Sequence, residues 1–230
     1  MKTMKTINLT KLVALIALMV FTLPVFAGDI NNSAAAYIRM GIGARIIAMG
    51  EAGSATANDI TAAYWNPAGL TDLKDIEFST TYALNMGYDR TYQNAALAKR
   101  FGFGVLAVNW LNAGVSDIDG YDGVGNPTGT FDDAEHNLAI SYANKYKRFS
   151  YGLTPKIYLS SIDGDTESGF GLDLGAKYDL NQYLEAGLIL RDLLGSMAGD
   201  RIPYQAQLGV TAYPLMGVTV AADLHYEQSE

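Results

Sequence analysis

The chain has 230 residues, with 24 acidic side chains against 16 basic ones and a formal charge of −8. That balance excludes the basic stripe a nucleic-acid partner would need, and the absence of cysteine excludes disulfides and thiolate chemistry. Twenty-four Gly and 15 Tyr beside 6 Pro and 17% charged residues suit a membrane barrel, with aromatics at the interfaces and small or polar groups pointing inward.

The first segment reads as an export signal. Lys2, Lys5 and Lys11 form a basic start, an apolar run extends from Leu12 to Phe26, and Pro24 precedes the small-residue site Val25-Phe26-Ala27. Cleavage after Ala27 would leave 203 residues, and the loss of three lysines and no acid would take the charge to −11. Residues 1–27 are thus expected to be a signal peptide, residues 28–74 a hatch or plug, and residues 75–230 the strands of a barrel. No later segment is long and apolar enough to cross a bilayer as a helix.

From Ala34 to Leu70 the sequence is rich in Ala and Gly with no period of two. Asn58-Asp59 is placed to cap a short helix through Ile60 to Tyr64, stopped by Asn66-Pro67. From Asp75 onward short alternating runs appear. Phe170, Leu172, Leu174, Ala176, Tyr178 and Leu180 share one face while Gly171, Asp173, Gly175, Lys177 and Asp179 share the other. The same alternation runs through residues 135–142, 204–212 and 218–227. It predicts strands near 75–84, 90–99, 102–113, 134–147, 149–161, 168–180, 183–192, 203–213 and 217–227, about nine in all. Longer connections (85–89, 114–133, 162–167, 193–202) alternate with very short ones, the asymmetry of an up-and-down membrane barrel rather than a sandwich. An odd count with a polar ending at Glu227-Gln228-Ser229-Glu230 implies a C-terminally incomplete barrel or a miscounted strand.

One ordered segment carries family meaning. Gly43-Ala44-Arg45, Ala48-Met49-Gly50, Ala57-Asn58-Asp59 and Tyr64-Trp65-Asn66-Pro67-Ala68-Gly69-Leu70 together resemble the N-terminal signature of FadL-like outer-membrane proteins, most closely the PorV/PorQ branch. The resemblance implies an all-β, transmembrane, antiparallel up-and-down barrel of about fourteen strands. In it the Asn-Pro-Ala box would fold as a hatch in the periplasmic end. Arg45, Met49, Gly50, Asn58, Asp59, Tyr64, Trp65, Asn66, Pro67, Ala68 and Gly69 would be signature residues with a structural role. Pro67 would end the short helix, and Gly69 would permit a turn into the first strand. The resemblance also implies an outer-membrane location in a Gram-negative bacterium and one of two roles. PorV-like members support type IX secretion by holding or shuttling protein cargo; FadL-like members pass long-chain fatty acids or other hydrophobic molecules. A structural or adhesive surface protein is a third reading that a long acidic loop would suit.

On the polar faces, Asp173, Lys177, Glu185, Arg191, Asp223 and Glu227 are expected to line a lumen as paired charges. Catalytic chemistry is not legible: His136 and His225 have no nucleophile-and-carboxylate constellation around them, so the chain reads as non-enzymatic. Gly41-Ile42-Gly43 lacks the third glycine of a dinucleotide loop. Asp117, Asp119, Asp122, Asp132 and Asp133, and Asp163, Asp165 and Glu167, read as solvated acidic loops, since calcium-loop spacing fails at Tyr121. No metal or cofactor is expected. The partners are outer-membrane lipid together with cargo, secretion components or hydrophobic small molecules.

Overall fold

The computed structural model describes residues 35–83 and 90–228. The export signal with its cleavage site, the lead up to residue 34 and the connection 84–89 lie outside the described residues.

Two parts make up the described chain. Residues 35–74 form a helical and irregular segment: a 3-10 turn Ala36–Arg39, α1 (Ala44–Ala48), α2 (Ala62–Trp65) and a second 3-10 turn Pro67–Asp72. The rest is one antiparallel sheet of ten strands: β1 (Ile76–Ala83), β2 (Arg90–Phe101), β3 (Gly104–Tyr121), β4 (Pro127–Tyr146), β5 (Phe149–Ile162), β6 (Asp165–Asn181), β7 (Leu184–Met197), β8 (Asp200–Arg201), β9 (Gln205–Leu215) and β10 (Val218–Glu227). Neighbours in sequence are neighbours in the sheet, except that the two-residue β8 pairs only with β7 and β9 passes beside it to pair with β7. The sheet is open, because β1 and β10 do not pair with one another.

The alternation read from sequence is the alternation of the sheet. In β5 the residues Ser150, Gly152, Thr154, Lys156 and Tyr158 point to the face that carries residues 35–74, whereas Tyr151, Leu153, Ile157 and Leu159 point away and are exposed. Each of the nine long strands falls where a period of two placed one. The count differs by β8, which is too short for periodicity to reveal.

The expected 114–133 loop is corrected outright. β3 and β4 continue as a hairpin to Tyr121 and Pro127, so Asp117, Asp119, Asp132 and Asp133 are strand residues and only 122–126 form the turn. Acidic, Gly-containing strands that do not bury one face lack the apolar period that marks a strand, so the sequence reads them as loop. The 162–167 connection likewise shrinks to Asp163-Gly164, with Ile162 paired to Asp165. The four turns at the opposite end are Gly102-Phe103, Lys147-Arg148, Gln182-Tyr183 and Met216-Gly217.

Candidate functional site: the hatch against the inner face

Residues 35–74 pack on one face of the sheet, hereafter the inner face. Their placement depends on missing side chains in the wall. Gly152 and Gly175 are register partners on β5 and β6, and Gly187 and Gly209 on β7 and β9. A Cβ at Gly175 would collide with Asn66 Oδ1 and one at Gly187 with Ser54 O, while one at Gly152 would lie 2.7 Å from the Pro67 carbonyl carbon. Ala96, Ala98, Ala107 and Ala143 extend this small-residue floor and close over Ile46, Trp65, Leu70 and Leu73. Chain-to-chain approach of this kind fixes the hatch by van der Waals contact over many atoms.

The signature residues tie the hatch to itself and to the wall. Arg45 Nη2 donates to Asn58 Oδ1 and Asp59 Oδ2, both at 3.0 Å, so three signature positions form one link across the hatch. Burial pushes Asp59 up, but hydrogen bonds from the Thr61 hydroxyl and amide, with the Arg45 guanidinium, outweigh it and hold the carboxyl below its ordinary range. Tyr64 OH donates to Ile38 O at 2.6 Å and accepts from Gly41 N at 3.0 Å; Trp65 Nε1 donates to Ile42 O at 2.8 Å. Asn66 is fully buried. Its Nδ2 reaches Ser54 O at 2.5 Å and Ala176 O, on the wall, at 3.2 Å, while Oδ1 accepts from Ala68 N at 3.1 Å and caps the second 3-10 turn. An amide with two donors and an acceptor fills this place; a carboxylate would lack the donors.

Two local expectations change. The short helix is Ala62–Trp65 rather than Ile60–Tyr64, and Asp59 contributes by accepting from Thr61 N rather than as its N-cap. The helix does stop at Asn66-Pro67, and Pro67 in addition opens the second 3-10 turn, where its missing N–H costs nothing. Gly69 does not supply a special turn: it is buried against Ala57 O, which a Cβ would strike, so its role is close approach. Met49 and Gly50 lie at the end of α1, which Gly50 closes in the left-handed conformation at φ 68°.

The six expected lumen charges all lie on the inner face, and most hold the hatch. Lys177 pairs with Asp72 at 2.9 Å and Glu185 at 3.3 Å; Arg191 Nη2 donates to Trp65 O at 2.9 Å with its guanidinium 5.3 Å from the Tyr64 ring centre. Asp223 Oδ2 accepts from Ser54 N at 2.9 Å, and Glu227 pairs with Arg39 at 3.2 Å. Asp173 belongs to a cluster deeper in the wall: Lys156 Nζ stands 2.7 Å from Asp173 Oδ1 and 2.5 Å from Asp192 Oδ1, and Tyr158 OH donates to that same Asp192 oxygen at 2.5 Å.

Lys156, Tyr158 and Asp192 are absent from the sequence-based set. Lys156 was legible in principle, as a cation at an inward position between outward apolar residues. Asp192 was not. It follows Arg191, which already points inward, and only a left-handed backbone at Asp192 (φ 56°) and Leu194 (φ 57°) turns both side chains to the same face. Between this cluster and the hatch lies a cavity of about 20 Å³ bounded by Tyr64, Lys156, Asp173, Arg191 and Asp192. It has room for about one water. His136 faces outward, stacked on Trp110 with ring centres 5.9 Å apart, and no group of His, Asp and Glu with metal-binding geometry occurs among the described residues.

No family model matches the sequence. No curated protein matches it either.

Proposed function

We propose that this chain is a hatch-bearing outer-membrane β-barrel protein whose outward face meets lipid, and that it supports protein secretion in the manner of the PorV/PorQ proteins its hatch resembles. One observation carries the membrane part: the sheet is inside-out. Polar and charged groups (Asn94, Asn109, Asp173, Lys177, Arg191) are buried on the inner face, while Leu97, Ile140, Ile157, Leu208 and Leu224 stand 50–67% exposed on the outer one. Soluble proteins rarely leave so continuous an apolar surface uncovered.

Aromatic residues bracket that surface. Tyr146, Phe149, Tyr151 and Tyr178 lie towards the short-turn end, and Trp110, His136, Phe170, Tyr204 and Tyr226 towards the other. On β4 ten residues separate Tyr146 from His136, roughly 33 Å of strand. At a tilt of about 40° that is about 25 Å of height, the depth of an outer-membrane apolar band. The acidic part of the β3–β4 hairpin would then project beyond the bilayer.

The secretion role rests on the hatch signature and on how the inner face is filled. Hatch and wall are locked by charge pairs such as Lys177–Asp72 and Arg39–Glu227, and the cavity beside Lys156 has room for about one water. A hatch fixed to the wall by ion pairs suits a component that holds protein cargo. The bulged β7 favours a second reading, uptake of hydrophobic molecules, because a kinked strand is where a lateral opening would form.

The test is outer-membrane fractionation with SDS gels of heated and unheated sample, followed by gene deletion. A heat-dependent mobility shift supports a closed barrel. Loss of surface cargo on deletion supports the secretion role, and loss of growth on long-chain fatty acids the uptake role. Recovery as a soluble periplasmic protein would sink the membrane reading.

A further inference from the structure

The two ends of the sheet differ in charge. At one end the β3–β4 and β5–β6 hairpins carry Asp117, Asp119, Asp122, Asp132, Asp163 and Asp165. At the short-turn end, exposed cations alternate with exposed aromatics. Lys99 Nζ lies 5.5 Å from the centre of the Phe101 ring, which stacks on Phe103 at 5.3 Å, and Lys147 Nζ lies 5.2 Å from the Tyr146 ring. Arg148 completes the Lys147 turn, and next to it Phe149 stands opposite Tyr178 across the sheet.

We propose that this short-turn rim binds the headgroups of anionic phospholipids, an inference that rests on the membrane reading above. Lys99, Lys147 and Arg148 are exposed and make no salt bridge among the described residues, whereas the inward cations Lys156 and Lys177 are each paired with two carboxylates. Although Asp179, which pairs with Lys145 at 2.8 Å, and Glu185 line the same groove as Arg148, exposed cations outside any ion pair, set beside rings of interfacial type, match a layer of lipid phosphates lying over the ends of acyl chains. Lys147 also holds a left-handed backbone, φ 57°, a conformation that Gly or Asn would adopt at lower cost. A lysine kept at a strained turn tip points to a use for its charge. The opposite end, acidic on the β3–β4 and β5–β6 hairpins and carrying Asp200 beside Arg201 on β8, would attract the same headgroups less, so the surface also sets which way the barrel stands in an asymmetric bilayer.

The test uses the full chain reconstituted in phosphatidylcholine vesicles and in an equal mixture of phosphatidylcholine and phosphatidylglycerol. Quenching of tryptophan emission by lipids brominated on their chains reports insertion, through the outward Trp110. Native mass spectrometry of the released protein then counts the lipids that stay bound. The wild type is expected to retain phosphatidylglycerol over phosphatidylcholine by roughly fivefold or more. Lys99→Gln/Lys147→Gln/Arg148→Gln should insert equally and lose the preference, Lys99→Arg/Lys147→Arg should keep it, and Asp163→Asn/Asp165→Asn should leave it unchanged. Insertion without a preference for the anionic lipid, or a preference surviving in the triple glutamine variant, overturns the proposal. Absence of quenching in both vesicle types overturns the membrane reading and the proposal with it.

Discussion

The inner and outer faces of this sheet are built from the same strands, one residue apart, and they solve opposite problems. On β6 the inward series Gly171, Asp173, Gly175, Lys177 meets backbone, amide and charge; the outward series Phe170, Leu172, Leu174, Tyr178 meets only its neighbours on the adjacent strands, such as Ile157, Leu153 and Phe149. Inward, specificity comes from omission and pairing: glycines where the hatch backbone must approach, and each buried charge matched to a partner. Outward, contacts run only between neighbouring side chains of the sheet, such as Trp110 on His136, and apolar character matters more than a particular partner. A substitution inward should therefore act through named partners, while one outward should act chiefly through the surrounding solvent.

The sharpest break on the inner face is Lys156→Met. It leaves Asp173 and Asp192 facing one another without their shared cation, and should cost about 3–5 kcal/mol, read as a lower guanidinium midpoint. A triple variant that also carries Asp173→Asn and Asp192→Asn should recover part of it.

On the outer face, Leu174→Arg removes no specific contact. It should cost about 2–4 kcal/mol in a bilayer, where Leu174 lies midway between Phe170 and Tyr178. If the face were water-exposed, the change would stay within about 0.5 kcal/mol. Comparing unfolding of the two proteins in vesicles separates these outcomes, and the smaller value would break the comparison.

Gly187→Leu tests the close approach itself. The new side chain would occupy the place of the Ser54 carbonyl, with an overpacking cost of about 1–3 kcal/mol. Because it lifts the hatch and leaves the strands intact, it should raise protease cleavage within 51–60 more than it lowers global stability. Equal change in both would mean that hatch and wall unfold as one unit.

The smallest effect is expected at the rim of the hatch. The folded-state carboxyl of Asp59 is held below its unfolded value, so its contribution is fully present above the unfolded pKa and is lost as pH falls through the folded one. Asp59→Asn should thus flatten the decline in stability between about pH 5 and pH 3. The pair with Arg45 is about two-fifths exposed, so the change should stay below about 1 kcal/mol.

Much of this was readable from the chain alone. A period of two in residues 135–142, 168–180, 204–212 and 218–227 assigned side chains to faces, because a pleated strand permits no other arrangement. It also identified Asp173, Lys177, Glu185, Arg191, Asp223 and Glu227 as inward groups without any view of their partners. Asn66 and its neighbours stood out as a connected signature. Two kinds of feature were beyond it. Backbone conformation overrode the period at Asp192, where left-handed residues at Asp192 and Leu194 send a carboxylate inward against the alternation. Pairing overrode composition in the β3–β4 hairpin, where polar strands are held by ladder hydrogen bonds to each other rather than by an apolar face. The partners of the inward charges needed the tertiary structure as well: Ser54 meets Asp223 and Trp65 meets Arg191 across separations of 169 and 126 residues. Alternation is a local property of the backbone and survives in the sequence; which hatch atom lies over which glycine is a property of two packed surfaces, and only folding brings those together.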